Sequence, residues 1–379
     1  MPNYNRWIRG FSIYLVPGLV FQSVIVGGGY GTGREITEFF LVHGVLGGFF
    51  GMLISCLVWG AVLAVAFEFA RITKSYNYKS FFQALLGRFW WLFEVIYLLI
   101  ALLVLAVLGS AAGEIISQLL DVPAVIGVLT LMLFVGILTF FGSKLIERVF
   151  VGWSALLFLT YIALFASTFT NFNDEIIGHF NAATITGAWA VDGVRYAAYN
   201  LNALAAVLFI VPRFVKTQHA VGAGLLAGVV AIVPGIFVFL TLLANYPGVL
   251  TAPVPVTQVL SALNLVWLLV LFQVMLFGTF IETGTGVIHA INERVAGTFQ
   301  TNRKAFPQWL RAAIALSFLF IATFLANKIG IISLIASGYG LLSYAYIAVV
   351  ILPLLTVGLA RILLHRRRQE QLATNSLNN

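Results

Sequence analysis

The chain has 379 residues, of which 61% are hydrophobic and only 9% are charged. These values lie outside the range of soluble proteins and indicate a membrane protein that crosses the bilayer many times and has no separate soluble domain. The formal net charge of +8 does not indicate a nucleic-acid partner, because most Lys and Arg residues lie in short segments on one predicted side of the membrane.

Ten apolar segments are long enough to cross a bilayer, which takes about 20 residues. In chain order they lie at 11–42, 45–70, 90–118, 122–142, 146–168, 189–212, 218–244, 261–290, 308–327 and 338–363. The charge pattern places both termini in the cytoplasm, which agrees with an even number of crossings. We expect one transmembrane domain over 1–379, with a first half at about 11–168, a second half at about 189–363 and a cytoplasmic tail at 364–379. The apolar segment 329–337 is too short to cross and is expected to be a re-entrant or tilted extension.

The first span contains a run of glycines that reads Gly27-Gly28-Gly29-Tyr30-Gly31-Thr32-Gly33. Five glycines in seven positions support a continuous helix poorly. Lipid tolerates a broken helix only where its backbone lines a protein-walled cavity. GxxxG spacing within the run would also suit close helix packing, and packing would explain two or three of the glycines. The run as a whole predicts an unwound segment that binds the substrate.

Three charged residues follow the glycine run: Arg34, Glu35 and Glu38. A charge at this depth costs a few kcal/mol even on the lenient insertion scale, so these side chains should face the protein interior. Arg34 and Glu38 are four residues apart and could pair along one face of a helix. Alternatively, Arg34 or Glu35 forms an outer gate with Asp192 or Arg195 at the start of the sixth span.

The sixth span carries a second irregularity, Tyr196-Ala197-Ala198-Tyr199-Asn200-Leu201-Asn202. Asn competes for backbone hydrogen bonds and is unfavourable inside helices. We therefore expect local unwinding here, with Tyr199, Asn200, Leu201 and Asn202 in the substrate site. Interrupted helices at matching positions of two halves are typical of inverted-repeat transporters that bind substrate at the membrane midplane. Because each half has an odd number of spans, the two halves have opposite orientations.

In the eighth span, Glu282 lies between Thr279 and Thr283 and is the acidic residue best placed to carry function. A carboxylate this deep in the membrane favours a cation or proton site, although it could also bond to a neighbouring helix for packing alone. Glu68 and Glu94 lie near the ends of their spans, where snorkelling or pairing with a nearby cation is the simpler interpretation.

The stretch from Val26 to Ile36, followed by Phe39-Phe40, resembles the first-span signature of the YkvI-like bacterial membrane proteins. The sequences Tyr199-Asn200-Leu201 and Ile281-Glu282-Thr283-Gly284 through Asn292-Glu293-Arg294 agree with this resemblance, which covers nearly the whole chain. It implies a protein related to the amino acid permeases, located in the bacterial cytoplasmic membrane. It also implies an all-α protein of ten transmembrane helices, with a LeuT-like five-plus-five inverted repeat and broken helices 1 and 6.

The same resemblance implies a cation site. In carriers with the LeuT-like fold, a sodium ion lies between carbonyls of the broken first helix and oxygen atoms of the eighth span. Here the ligands would be the carbonyls of Gly27, Tyr30 and Thr279 with the side chains of Glu282 and Thr283. Hard oxygen ligands suit Na⁺. A carboxylate stands where the family pattern usually has a hydroxyl, which leaves proton coupling open.

Together these features predict a secondary active transporter, a cation-coupled symporter that moves a small solute such as an amino acid by alternating access. An amine or osmolyte carrier of the same fold, a channel and a sensing membrane protein are the alternatives. The expected partners are a small-molecule solute and the lipid bilayer, and no cofactor is expected beyond Na⁺ or H⁺ as coupling ion. No Ser-His-Asp set, HExxH, CxxC or Walker sequence is present, so we expect no enzyme activity.

Overall fold

The computed structural model describes residues 10–26, 30–141, 156, 159–182, 185–301 and 307–377. The regular secondary structure within these residues is helical, without a strand. The α-helices are α1 (Val16–Ile25), α2 (Arg34–Phe39), α3 (Gly44–Thr73), α4 (Tyr78–Leu86), α5 (Trp91–Leu120), α6 (Ala124–Phe141), α7 (159–171), α8 (Asn173–Asn181), α9 (Trp189–Asn200), α10 (Leu204–Val207), α11 (Thr217–Leu243), α12 (Pro255–Ala262), α13 (Val266–Thr301), α14 (Gln308–Ile329) and α15 (331–377).

Seven helical stretches in the described part of the chain are long and apolar enough to cross a membrane, judged by length and composition. They are Arg34–Thr73, Trp91–Leu120, Trp189–Arg213, Thr217–Leu243, Val266–Ala296, Trp309–Ile329 and Ile331–Leu372. Large apolar side chains on these helices face outward, among them Leu57, Phe320 and Leu341, which are 67%, 76% and 73% exposed. Such a surface requires lipid around it, and the chain is a multi-pass membrane protein. The count of ten spans stays a prediction, because the predicted fifth span begins outside the described residues.

The first predicted span contains two helices, α1 and α2, and the helical backbone is interrupted at Gly33 between them. Gly33 has a φ of +76°, which lies in the left-handed region that side-chain-bearing L-residues rarely adopt. Its amide donates to the Tyr30 carbonyl at 3.1 Å, and α2 begins at the next residue. The predicted substrate residues Gly27, Gly28 and Gly29 lie outside the described residues.

The sixth predicted span stays helical but becomes more tightly wound. After α9, the backbone forms 3₁₀ turns at Leu201–Ala203 and Leu208–Arg213, on either side of the short helix α10. The side-chain amides of Asn200 and Asn202 donate back to carbonyls of the preceding turn at 3.0 and 2.8 Å. The unwinding expected at 199–202 is therefore corrected to a tightened helix, because the Asn side chains bond within their own helix and leave its backbone intact.

The helices pack in two groups. Spans one, two, six and seven are joined by the extensive contacts of α11 with α3 and α1, and of α9 with α3. Spans three, four, eight and nine are joined by contacts among α5, α6, α13 and α14. The contact between α3 and α11 is very close, because a Cβ atom at Gly224 would lie only 2.2 Å from the backbone nitrogen of Ala64. Small residues let membrane helices approach each other in this way.

The last helix, α15, contains three π-helical stretches: Leu334–Tyr339, Ile347–Ile351 and Leu354–Gly358. Gly330, with a φ of +78°, separates it from α14. The segment 329–337 thus forms the end of α14 and the beginning of α15, so it extends the last span and does not re-enter the membrane on its own. The helix also continues through most of the predicted cytoplasmic tail, to residue 377.

Candidate functional site

Tyr30 follows Gly27, Gly28 and Gly29 in the glycine run and joins the first span to the sixth and seventh. Its side chain is fully buried, and its hydroxyl donates to the Ala231 carbonyl of α11 at 3.2 Å. Its ring stacks on Tyr196 of α9 with ring centres 6.4 Å apart. Gly235 of α11 permits this packing, because a Cβ atom there would lie 2.8 Å from the Tyr30 ring.

The end of the glycine run lies against the fifth and eighth spans. A Cβ atom at Gly31 would lie 2.5 Å from Cδ1 of Leu276 in α13 and 3.5 Å from the hydroxyl of Tyr161 in α7. That hydroxyl oxygen is buried and has no hydrogen-bond partner among the described residues. Thr32 is buried as well, and its hydroxyl oxygen accepts a hydrogen bond from the Arg34 amide at 3.1 Å at the start of α2.

Glu35 and Tyr199 form a buried polar contact between the first and sixth spans. Each residue is 3% exposed, and the Tyr199 hydroxyl donates a hydrogen bond to a carboxylate oxygen of Glu35. Tyr339 of α15 stacks on Tyr199 with ring centres 4.6 Å apart, and Phe39 packs against the same ring at 5.5 Å. The sequence assigned Glu35 to a gate and Tyr199 to the substrate site, and the structure brings these two predicted sets into direct contact.

Two residues of this cluster, Tyr196 and Tyr339, were missed from the sequence. Tyr196 lies one helical turn before Asn200, so helical spacing from the predicted site residues could have included it. Tyr339 is the second residue of the predicted last span, 338–363. Hydropathy does not give the rotation of a span about its axis, so the position of Tyr339 opposite Tyr199 had no signal in the sequence.

Arg34 lies at the start of α2, at the predicted outer side of the first span. Its guanidinium pairs with Glu38 at 2.6 Å, and this confirms the pairing along one helix face. It also donates to two carbonyl oxygens of the loop before α12, those of Leu250 at 2.8 Å and Ala252 at 3.1 Å. Charge-assisted hydrogen bonds of this kind are the stronger ones in proteins, so Arg34 fastens this loop to α2.

The other predicted gate residues form a separate cluster at the start of α9. Asp192 pairs with Arg195 at 2.5 Å and with His43 at 2.8 Å. Within the described ranges, no ion pair or hydrogen bond joins Arg34 or Glu35 to Asp192 or Arg195. A gate between these two sets stays a prediction for another conformation.

The predicted cation ligands of the eighth span lie within little more than one turn of α13. Thr279 is buried, and its hydroxyl donates to the Met275 carbonyl at 2.9 Å. Glu282 and Thr283 lie on the following turn and are half-buried. Within the described residues there is no group of three or more His, Cys, Asp or Glu side chains that could hold a metal ion.

The predicted cation ligands of the first span are described in part. Gly27 lies outside the described residues, and the Tyr30 carbonyl accepts the Gly33 amide. A carbonyl oxygen has a second lone pair, so this bond leaves room for an ion. The contact of Gly31 with Leu276 brings the first span to within about one turn of the eighth-span ligands.

A cavity of about 370 Å³ borders the glycine run between the first, fifth and seventh spans. Val26 and Tyr30 line it from the first span, Tyr161 and Phe165 from the fifth, and Val238 from the seventh. Its walls are almost entirely apolar. The volume falls within the range of small-molecule pockets, which combine an apolar lining with a few polar groups.

Two charged clusters lie near the predicted cytoplasmic side. Glu68 is 2% exposed and accepts two hydrogen bonds from Arg71, both at 2.8 Å, and one from the Thr217 hydroxyl at 2.8 Å. Glu94 pairs with Arg294 of α13 at 3.0 Å. These contacts confirm the interpretation of both glutamates as members of ion pairs.

Arg294 also fastens the helix α4 to the third and eighth spans. Its guanidinium lies over the rings of Tyr78 and Tyr97, 3.7 and 3.6 Å from their centres. Cation–π contacts of this kind stabilise by about 0.5–2 kcal/mol. Burial and the nearby Glu94 carboxylate raise the pKa of Tyr78, which lies outside the spans, to about 12.

These features define a helical membrane protein with the fold of the LeuT-type transporters, and solved structures share that fold. A structure of the Eremococcus coleocola manganese transporter with an aromatic bis-isothiourea substituted compound is 15% identical, with a TM-score of 0.56 over 92% of this chain and 79% of that one. A structure of MhsT in complex with L-phenylalanine is 15% identical, with a TM-score of 0.52 over 93% of this chain and 97% of that one.

The chain is also similar in sequence to the uncharacterized membrane protein YkvI of Bacillus subtilis (strain 168). The two are 28% identical over 344 residues, which cover 87% of this chain and 92% of the relative. This confirms the resemblance carried by the first-span, sixth-span and eighth-span motifs. No protein-family model matches the chain.

Proposed function

We propose that the protein is a secondary active transporter that carries a small solute, an amino acid or a related compound, together with a cation. Ten crossings would form two inverted halves of five, with the first span interrupted and the sixth span tightened into 3₁₀ turns at the substrate site. The group of spans one, two, six and seven would move against the group of spans three, four, eight and nine. Such motion exposes a central site to each side of the membrane in turn.

The observation that carries this proposal is the buried contact of Glu35 with Tyr199. Glu35 lies two residues after the interruption at Gly33. Tyr199 lies two residues before the 3₁₀ turn that starts at Leu201. Polar groups inside a membrane protein are costly, and they mark substrate or ion pathways. Here such a pair joins the two spans that the sequence selects for substrate binding.

The cavity beside Tyr30 supports an organic solute with an apolar part. Backbone groups of an interrupted helix can bind the charged groups of an amino acid, and an apolar wall such as that formed by Phe165 and Val238 suits a hydrophobic side chain. The solved structure of MhsT contains L-phenylalanine, which supports the amino acid class for a protein of this fold. In this proposal the residues from Gly27 to Gly33 and from Tyr199 to Asn202 bind the solute.

Coupling to a cation is sufficient in magnitude to drive accumulation. One positive charge that moves inward gains about 2.3 kcal/mol per 100 mV, which corresponds to about a fifty-fold concentration ratio. We assign the cation, Na⁺ or H⁺, to the carbonyls of Gly27 and Tyr30 and to Thr279, Glu282 and Thr283. Arg34, Glu35, Asp192 and Arg195 would close the outer side as a gate.

Uptake and exchange in proteoliposomes test the proposal. We expect saturable exchange of labelled amino acids and accumulation that depends on a sodium or proton gradient. Glu282→Gln should lower accumulation, whereas Glu114→Gln should not, because the Glu114 carboxylate accepts a hydrogen bond from Gln118 of its own helix α5. A bound solute should also raise the melting temperature, since a ligand at 100 times its Kd stabilises by about 2.7 kcal/mol.

Two results would contradict the proposal. The first is the absence of exchange and of thermal stabilisation with amino acids, amines and nucleobases, with and without sodium. The second is ionic current through a bilayer at channel rates, which would assign the protein to the channels. Unchanged accumulation in Glu282→Gln would remove the cation site and leave the transporter class standing.

A further inference from the structure

Glu35 is a carboxyl group in the membrane interior that has no cationic partner within the part of the chain that the structure describes. Among the described residues, no Arg, Lys or His nitrogen lies within 4 Å of its carboxylate oxygens. The adjacent Arg34 is directed to Glu38 and the outer loop instead. An intramembrane acid is usually paired or functional, so the isolation of Glu35 requires an explanation.

Within the described ranges, the titratable groups that face Glu35 are tyrosines, which come from three elements. They are Tyr30 of the first span, Tyr196 and Tyr199 of α9 and Tyr339 of α15. Of these four, the Tyr199 hydroxyl donates a hydrogen bond to the carboxylate. A hydroxyl can donate to an ionised carboxylate and can accept from a protonated one, so Tyr199 can serve both states of Glu35.

The charged groups farther out are already neutralised by one another. Arg195 pairs with Asp192, and Asp192 also contacts His43. A hard metal cation would need several oxygen ligands, and the hydrogen bond that Glu35 makes among the described residues comes from the single Tyr199 hydroxyl. A proton needs no further ligand and removes the charge that makes burial costly.

We propose, on the basis of the transport function proposed above, that Glu35 binds the proton that moves with the solute. On the outer side a hydronium ion gives its proton to a carboxylate oxygen, so one O–H bond of hydronium breaks as the carboxyl O–H bond forms. On the inner side the carboxyl O–H bond breaks and a water molecule takes up the proton as hydronium. The cation assignment at Glu282 is then a separate site that this proposal does not require.

The position of Glu35 explains how a proton would be coupled to the conformation. Through Tyr199 and Tyr339, the carboxyl joins α2 to α9 and to the start of α15. The neutral acid can stay buried in this contact. The carboxylate gains free energy from water, which favours a conformation in which α2 and α9 separate. Proton binding therefore favours the occluded state in which the solute is enclosed.

Infrared difference spectroscopy tests proton binding without a solute. The full-length protein in lipid nanodiscs is titrated with acid, and the C=O stretching band of protonated carboxyl groups is recorded. We expect Glu35→Gln to lose one component of the wild-type band and Tyr199→Phe to shift it, because the hydrogen-bond partner is removed. Glu114→Gln is the matched control and should keep the Glu35 component. Identical difference spectra for wild type and Glu35→Gln would overturn the proposal.

A second variant keeps the spectroscopic test decisive if Glu35→Gln does not fold. Glu35→Asp retains an acid but shortens the side chain, so the carboxyl moves away from the Tyr199 hydroxyl. We expect its band to shift in the same direction as in Tyr199→Phe. A band at the wild-type frequency would assign the titrating carboxyl to another residue and would overturn the proposal.

Transport of a labelled mixture of the common amino acids separates this inference from the proposed function. One proton and a gradient of one pH unit support at most about tenfold accumulation. Glu35→Gln imitates the protonated state, so it should lose this accumulation, while labelled solute still exchanges faster than through protein-free liposomes even if the rate differs from the wild type. Accumulation that survives in Glu35→Gln, or loss of exchange as well, would overturn the proton assignment. No exchange in the wild type would contradict the transporter instead, and the infrared result would stand apart from it.

Discussion

Substitution of Gly224 by Ala tests whether the second and seventh spans pack as closely as the structure shows. The added Cβ would lie 2.2 Å from the backbone nitrogen of Ala64 and 2.4 Å from its Cα, whereas ordinary contact begins at 3.4 Å. Both neighbours are backbone atoms, so no side chain can rotate away. The two helices would have to separate by roughly the missing distance, which disturbs the packing along their whole contact.

The expected cost follows from measured overpacking in protein interiors, which destabilises by about 1–3 kcal/mol for modest insertions. The clash with two backbone atoms puts Gly224→Ala at the upper end of this range. The replacement of Gly by Ala in a helix gains up to about 1 kcal/mol, so the net loss should be about 2 kcal/mol. Gly286 of α13 is the matched control, because a Cβ atom there would meet nothing within 4 Å. Gly286→Ala should therefore be neutral or slightly stabilising.

Thermal unfolding in detergent, followed by tryptophan fluorescence, compares the two variants under one condition. We expect Gly224→Ala to unfold at a lower temperature than the wild type and Gly286→Ala at an equal or higher one. Equal melting temperatures for the two variants would refute the close approach of α3 and α11. The grouping of spans one, two, six and seven into one moving unit would then lose its main support.

Three further predictions concern charged and titratable groups. Glu68→Gln should lower the free energy of unfolding by about 3 kcal/mol or less, because Arg71 loses its buried partner while remaining partly exposed. An unchanged midpoint in denaturant would contradict the contribution of the Glu68–Arg71 ion pair. Arg34→Ala should increase amide hydrogen exchange at 248–252 and change the rate of solute exchange, and wild-type values for both would remove its role at the outer side. Tyr78 has a pKa raised to about 12, whereas a tyrosine in the unfolded chain has a pKa of about 10. The free energy of unfolding should therefore fall as pH rises from about 10 through about 12. Tyr78→Phe should lose less of this free energy over the same pH range, and an equal loss would contradict the burial of the phenol.

Hydropathy predicted the helices of the fold well. The predicted spans 45–70, 90–118 and 218–244 correspond to Gly44–Thr73, Trp91–Leu120 and Thr217–Leu243. The physical reason is that the bilayer fixes the length of an apolar helix before any tertiary contact forms. Helix ends in the loops were less accurate, as in the last helix, where the polar tail continues the helix without an apolar signal.

The candidate site was predicted less completely, because its contacts depend on the rotation of each helix about its axis. Glu35 and Tyr199 were each selected, yet nothing in the sequence determines that they face each other. Tyr339 was missed because a π-helical stretch sets its direction, and α-helical spacing does not apply there. Asn200 was expected to open the helix, and its amide instead bonds back to the preceding turn.

The three wide turns of the last helix have a consequence for how its length can vary. A π turn contains one residue more than the α turn that replaces it. Loss of one residue within Leu354–Gly358 would therefore convert a π turn into an α turn. The residues before and after the deletion would keep their orientation about the helix axis. The same deletion in α3 or α11 would rotate everything beyond it by about 100°. Relatives that differ in length by single residues should carry those differences in the final helix rather than in the glycine-packed pair.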